Sequence, residues 1–151
     1  MNYQKTSLYG KYSIMRREGL MLQAYKDGEF YSIGFGHNGS DVSEGEEITS
    51  YEATRLFETD LVRFELCVNQ TITVAVSQQQ FDALVSLAFN IGVNAFVNST
   101  LARLINSGYL EPEIREAWSE WNHVTVDGKK KVSLALDTRR QAELEQFYSL
   151  S

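Results

Sequence analysis

The 151-residue chain is poor in several residue types, and each shortage excludes a class of protein. Cys67 is the only cysteine, so no internal disulfide can form, and we expect its thiol to pack as a small apolar group inside a helix. The two histidines, His37 and His123, are far apart, and neither lies in a cluster with the spacing of metal ligands. We therefore expect no metal site and no cofactor.

Long apolar runs are also missing. The first seven residues are polar and lack the apolar core of about 7–15 residues that a secretory signal needs. The most apolar region, residues 81–97, is interrupted by Asp82, Ser86, Asn90 and Asn94, so we expect no stable membrane insertion. From these features we expect the chain to be made in the cytoplasm.

Positively charged residues are fewer than negatively charged ones, which gives a formal net charge of −6. That balance disfavours binding to nucleic acid or to an anionic membrane. The charge is uneven, however, with an acidic loop and a basic end that consist of Asp41, Glu44, Glu46 and Glu47, and of Lys129, Lys130, Lys131, Arg139 and Arg140. One interpretation is that both regions are solvated surface. The alternative is that the basic end lines a cleft opposite the carboxylates described below.

The hydrophobic pattern predicts one early sheet followed by helices. Residues 24–37 alternate around an Asp-Gly turn and predict a β-hairpin, and residues 38–45 predict a loop. Capping boxes at residues 49–52 and 77–80 precede helical patterns. The predicted helices are 7–17, 49–68, one from residue 81 that carries a central apolar stripe, 99–107, one from about Pro112, and 134–148. Residues 71–76 have strand propensity but serve equally well as a connecting segment.

These elements indicate an α+β fold in which the strands are segregated early. We expect a single domain over residues 1–151 with two lobes, a small one that contains the β-hairpin and a larger helical one. We expect a substrate cleft between the two lobes.

Two carboxylates bracket the most informative segment. Glu18 closes the first helix, and Asp27 precedes the strand that contains Ser32. Carboxylates on two different elements that face one gap are what acid–base cleavage of a glycosidic bond requires. The negative end of the helix favours the protonated form of Glu18, as a general acid needs. The alternatives are a surface Glu at a helix end and a turn Asp that caps its own backbone.

Neighbouring residues fit the same chemistry. The hydroxyl of Ser32 is placed to hold a water that Asp27 polarises, although an ordinary strand hydroxyl is the alternative. Gly34 and Gly36 lie within the predicted strand, where glycines indicate that a neighbouring segment or a ligand approaches the backbone closely. We expect His37 to make a structural hydrogen bond or ion pair rather than to act in catalysis.

Residues 18–37 (EGLMLQAYKDGEFYSIGFGH) resemble the active-site segment of phage-type lysozymes, the endolysin muramidases. Residues 53–61 resemble the helix between the lobes of that family, residues 80–92 its central buried helix, and residues 96–101 the start of the next helix. Trp118, Trp121, Arg139 and Arg140 fall where the family has a Trp-containing helix and an arginine-rich final helix. The resemblance covers nearly the whole chain.

The resemblance implies hydrolysis of the β-1,4 bond between N-acetylmuramic acid and N-acetylglucosamine in peptidoglycan, with inversion. It makes Glu18 the general acid and Asp27 the carboxylate that guides the water, and it places Ser32 where the family usually has Thr. The implied substrate contacts are Asn38, Phe89, Asn90 and Ser99. Arg139 matches an arginine that pairs with the catalytic Glu, and Arg140 is the neighbouring candidate.

The resemblance also implies a biological setting. We expect a free, monomeric endolysin that binds peptidoglycan glycan strands and stays in the host cytoplasm until a holin or another membrane lesion releases it to the cell wall. One alternative is a lysozyme-fold protein that binds glycan without cutting it, for which the Ser32 replacement is the only support. The other is a tail-associated or effector muramidase. The chain departs from the family in a shorter hairpin, in lacking Pro-Gly-Leu near residues 132–136, and in its acidity.

Overall fold

The computed structural model describes residues 3–150. Over that range the elements are, in chain order, α1 (Leu8–Glu18), β1 (Met21–Asp27), β2 (Phe30–Gly34), β3 (His37–Gly39), α2 (Ser50–Thr71), α3 (Gln78–Ile91), α4 (Val93–Val97), α5 (Thr100–Asn106), α6 (Glu111–Ser119), β4 (His123–Val126), β5 (Lys129–Val132) and α7 (Leu134–Phe147). The predicted α+β class is confirmed. The chain divides into two compact units, and the single domain and its cleft stay predictions.

The smaller unit, Lys11–Arg63, contains an antiparallel sheet in the order β1-β2-β3. Its apolar core includes Ile14, Ile33 and Phe57, each at most 1% exposed. The sequence predicted a two-stranded hairpin followed by a loop. The structure corrects this, because β3 occupies the start of that loop and pairs with β2 through residues that have little strand propensity.

The end of α1 follows from local chemistry. Gly19 has a φ of 77°, in the left-handed region that glycine adopts at low cost, and its N–H donates to the carbonyl of Met15 at 2.9 Å. The helix therefore ends at Glu18, one residue after the predicted boundary. This termination fixes the position of Glu18 relative to the strand that begins three residues later.

The larger unit combines residues 3–10 with residues 64–150. The apolar stripe of α3 lies at its centre, and every residue from Phe81 to Ala88 is buried. The predicted capping box is present, since the Ser77 side chain accepts from the Gln80 N–H and the Gln80 side chain accepts from the Ser77 N–H. Helix α7 packs against α3, and Trp118 contacts Phe147 edge-on with ring centroids 5.2 Å apart.

The structure also contains a second hairpin, β4–β5, which corrects the prediction that all strands come early. The sequence identified the turn at residues 127–128, and Asp127 and Gly128 both have positive φ. It did not identify the strands, because all their residues are exposed and β5 consists of three lysines and a valine, without apolar alternation.

Two short segments of the larger unit complete the fold. Helix α4 was not predicted, because five residues are too few to display a helical period. Residues 72–76 form a connecting segment rather than a strand, and the Thr73 N–H donates to the Asn106 side chain at 2.8 Å instead of to the backbone of a neighbouring strand.

Cys67 is buried within α2, as expected, and burial raises the pKa of its thiol. Among the described helices, none combines the length and apolar character needed to cross a bilayer.

Candidate active site

Three polar side chains of the smaller unit form one hydrogen-bonded group. The hydroxyl of Ser32 donates to Oδ2 of Asp27 at 2.9 Å, and Nδ2 of Asn38 donates to Oγ of Ser32 at 2.9 Å. Asn38 also donates to the backbone carbonyl of Asp27 at 3.3 Å. Ser32 is 1% exposed, whereas Asp27 is exposed. The buried hydroxyl is thus held in one orientation against an accessible carboxylate.

The sheet register explains this grouping. Ser32 lies directly opposite Tyr25 on β1 and Asn38 on β3, and Asp27 is two residues beyond Tyr25. Because side chains two residues apart on a strand share a face, Asp27, Ser32 and Asn38 project from the same face of the sheet. The sequence placed Asp27 and Ser32 near each other. It missed the Asn38–Ser32 hydrogen bond because β3 was predicted as loop, and the role of Asn38 as a substrate contact stays a prediction.

Glu18 approaches the turn between β2 and β3. A Cβ atom added to Gly36 would lie 2.9 Å from Oε1 of Glu18, closer than real Cβ contacts come. Gly36 also has a φ of 83°, which other residues rarely adopt. The predicted close approach at Gly36 is therefore made by the carboxyl group of Glu18. The missing side chain leaves room for that carboxyl group, which is half-buried at the end of α1.

His37 makes the structural ion pairs that the sequence predicted. Its Nδ1 lies 2.7 Å from Oδ2 of Asp60, and its Nε2 lies 2.8 Å from Oδ2 of Asp41. Partial burial lowers the pKa of His37, but the hydrogen bonds and charges of the two carboxylates outweigh burial and raise that pKa overall. The hydrogen bond from His37 lowers the pKa of Asp41. The ring therefore joins the start of β3 to α2 within the smaller unit.

The other predicted substrate contacts lie in the larger unit. Phe89, near the end of α3, stacks at a tilt on Phe64 with centroids 4.9 Å apart. Asn90 lines a cavity of about 670 Å³. Ser99 is buried and caps α5, because its hydroxyl accepts from the Ala102 N–H and donates to the Phe96 carbonyl. The roles of Phe89, Asn90 and Ser99 in substrate binding stay predictions.

Arg139 and Arg140 contact a buried carboxylate that the sequence analysis did not single out. Nε of Arg140 lies 2.8 Å from Oε1 of Glu143, and Nε of Arg139 lies 3.3 Å from Oε2 of Glu143. Trp118 and Ser86 also donate to Glu143, at 3.1 and 2.6 Å. The i, i+3 and i, i+4 spacing of these residues on α7 was the available clue. The pairing of Arg139 with Glu18 stays a prediction.

Residues 3–150 contain no candidate metal-binding cluster, because no group of three or more of their His, Cys, Asp or Glu side chains is arranged to hold a metal ion. The arrangement described above instead offers paired acid–base chemistry, with Glu18 on a helix end and Asp27 beside a fixed hydroxyl.

Comparison with known proteins gives the same family that the opening segment resembles. The family model for phage lysozyme matches residues 15–143. The endolysin of Bacillus phage PZA is 40% identical over 135 residues, which are 87% of this chain and 50% of that protein. The chain thus spans about half the length of this relative and of the endolysin of Bacillus phage B103, which it also matches.

Solved structures agree in fold. The muramidase domain of SpmX from Asticaccaulis excentricus has a TM-score of 0.91 at 34% identity, with 97% of this chain and 99% of that chain covered. The endolysin from Escherichia coli O157:H7 phage FAHEc1 has a TM-score of 0.89 at 36% identity, with 97% and 95% covered.

Proposed function

Because the chain belongs to the phage lysozyme family, we propose that it is a muramidase. It hydrolyses the β-1,4 bond between N-acetylmuramic acid and N-acetylglucosamine of bacterial peptidoglycan. The observation that carries the proposal is the hydrogen-bonded group of Asp27, Ser32 and Asn38, formed on the same unit as Glu18. An exposed carboxylate next to an oriented hydroxyl is the arrangement that positions a nucleophilic water.

In the proposed reaction Glu18 is the general acid. Its carboxyl proton passes to the glycosidic oxygen while the bond from that oxygen to the anomeric carbon breaks. The room left by Gly36 allows the carboxyl group to take its position at the end of α1. The leaving sugar departs with a new hydroxyl group, and Glu18 is left as a carboxylate.

Asp27 and Ser32 handle the attacking water. A serine hydroxyl has one donor proton and two acceptor lone pairs. The hydroxyl of Ser32 donates a hydrogen bond to Asp27, and one of its lone pairs accepts from Asn38. The other lone pair is left to accept a hydrogen bond from the attacking water. Asp27 takes the proton that the water loses as its oxygen bonds to the anomeric carbon. Attack on the face opposite the leaving oxygen inverts the anomeric configuration.

The proposed substrate contacts and partners follow the family. Glycan strands bind through Asn38, Phe89, Asn90 and Ser99, and Arg139 or Arg140 supports Glu18. The protein acts as a monomer and needs no cofactor. It stays in the host cytoplasm until a holin or another membrane lesion gives it access to the cell wall.

The decisive test compares Glu18→Gln with Glu29→Gln, which alters an exposed carboxylate in the turn after Asp27. Glu18→Gln should abolish clearing of a cell-wall suspension, and Glu29→Gln should clear it at the wild-type rate. Clearing at the wild-type rate by Glu18→Gln contradicts the assignment. Mass analysis of the released muropeptides distinguishes a muramidase from a glucosaminidase, an amidase and a protein that only binds. NMR of freshly released reducing ends tests inversion.

A further inference from the structure

A second cavity of the larger unit has a volume of about 390 Å³ and shares no wall residue with the cavity that Asn90 lines. Its walls come from the C-terminal end of α2, the residues that join α4 to α5, and one face of α5. The volume falls in the range of about 300–1,000 Å³ that is typical of small-molecule sites. Of these walls, the function proposed above uses Ser99 alone.

The charge of this cavity is of one sign. Arg103 on α5 is the only charged side chain among its described walls, and no ion pair joins it to another described residue. In contrast, the guanidinium of Arg115 on the next helix pairs with Glu111 at 3.0 Å. A guanidinium without a carboxylate partner offers its fork of N–H donors to an oxyanion, which it binds through two parallel hydrogen bonds.

The other polar walls offer neutral groups on a fixed frame. The side chain of Asn106 ties the end of α5 to the end of α2, because its Nδ2 donates to the Thr71 carbonyl at 2.8 Å. In Asn98 the Nδ2 donates to a backbone carbonyl of α4 at 2.9 Å, whereas Oδ1 has no partner among the described residues. The hydroxyl of Ser107 likewise has no partner there. An amide oxygen and a hydroxyl are groups that hydrogen-bond to the hydroxyls of a sugar.

We propose that this cavity binds an anionic sugar, with Arg103 against its phosphate or carboxylate and Asn98 and Ser107 against its hydroxyl groups. Val97, which is 48% exposed, packs on the carbon skeleton of the ligand. A zwitterionic ligand is disfavoured, because no carboxylate in the described walls pairs with an ammonium group. The site takes no part in the reaction proposed above, and binding to it is measurable without hydrolysis.

Binding is tested by NMR titration of the full chain with glucose 6-phosphate and with glucuronate, and the tighter ligand identifies the oxyanion. Arg103→Gln should weaken binding about tenfold, because it removes charge-assisted hydrogen bonds. Arg115→Gln is the matched control, since it removes the same charge from a helix outside the cavity, and it should bind as the wild type does. Equal affinities of the two variants would overturn the proposal.

Simpler ligands test both halves of the recognition. Glucose should bind at least about tenfold more weakly than the tighter anionic sugar, because it lacks the oxyanion. The matching free anion, inorganic phosphate or acetate, should also bind more weakly, because it lacks the hydroxyl groups. If the free anion binds as tightly as its sugar, the cavity holds an adventitious ion only and the proposal is wrong. Glucose that binds as tightly as the anionic sugars contradicts the role of Arg103.

Sedimentation with cell walls identifies the source of the sugar. The wild type and Arg103→Gln are compared in a Glu18→Gln background, which prevents digestion of the walls. If the sugar belongs to a wall polymer, Arg103→Gln should lower the bound fraction, and the added anionic sugar should displace the protein that retains Arg103. If the sugar is free, both proteins should sediment equally and the added sugar should change neither. The failure of Glu18→Gln to abolish clearing would contradict the muramidase function alone, because the sugar titration decides the cavity independently.

Discussion

Nδ1 of His37 lies 2.7 Å from Oδ2 of Asp60, and the two side chains are only 16% and 10% exposed. Asp41, on the other side of the ring, is 66% exposed. The same imidazole thus has one sheltered carboxylate partner and one solvated partner, and the two pairs should differ in what they contribute to stability.

We expect Asp60→Asn to lower the free energy of unfolding by about 2–3 kcal/mol at mildly acidic pH, because it removes a sheltered, charge-assisted hydrogen bond. Asp41→Asn should cost less than about 1 kcal/mol, since its charge is screened by water. Urea unfolding of both variants measures the difference. Equal losses would mean that burial does not distinguish the two pairs.

The pH dependence follows from the raised pKa of His37. A raised folded-state pKa means that the ion pairs contribute fully below the ordinary value of 6.5 and fade as pH rises through the raised value. Asp41 affects stability at acidic pH instead. Because its pKa is lowered in the folded state, its contribution to stability is lost as pH falls below the ordinary value of 3.8. The stability gap between the wild type and His37→Gln should therefore shrink as the solution becomes alkaline. Urea midpoints measured across that range check the sign, and a gap that widens with pH would contradict it.

Ser32→Ala should lower kcat on peptidoglycan about tenfold to hundredfold, because the water loses an acceptor that orients it. Ser32→Thr should retain activity, since the hydroxyl remains. The Tm of each variant is needed as a control, because Ser32 is 1% exposed and a change there also alters packing. Full activity of Ser32→Ala with an unchanged Tm would remove Ser32 from the mechanism.

Gly36→Ala and Gly28→Ala form a matched pair. Both glycines have positive φ, 83° and 70°, so an alanine at either should cost about 1 kcal/mol of stability. A Cβ at Gly28 meets nothing within 4 Å, whereas one at Gly36 meets Oε1 of Glu18 at 2.9 Å. We expect only Gly36→Ala to lower the rate of cell-wall clearing beyond its effect on stability. Equal activities of the two variants would show that Glu18 tolerates displacement.

Glu143→Gln should lower the free energy of unfolding by about 3–5 kcal/mol, because it removes a buried negative charge that accepts from Trp118, Ser86 and two arginines. Glu145→Gln, at an exposed position on the same helix, is the control and should change stability little. Urea midpoints of the two variants give the comparison. A small loss for Glu143→Gln would mean that the buried charge contributes little net stability.

Local sequence determined most helix ends and turns. The capping box of Ser77, the left-handed Gly19 after α1 and the turn after Asp27 each depend on residues a few positions apart, so their chemistry is readable along the chain. The family resemblance likewise singles out Glu18 and Asp27 as the candidate catalytic carboxylates, and their roles stay predictions. Where local chemistry was weak, prediction was wrong. The exposed lysine strand of the second hairpin carries no apolar alternation, and its pairing with β4 is visible only in the fold.

By itself, the sequence determined the α+β class and the family and predicted two candidate carboxylates, because periodicity, capping and a specific motif are properties of neighbouring residues. Only the tertiary structure decided which side chains meet across the chain. It placed Asn38 on the hydroxyl of Ser32, Glu18 over Gly36, and Ser86 on Glu143, which is 57 residues away. Such contacts depend on how elements pack, and packing is set by the burial of many side chains at once rather than by any single stretch of sequence.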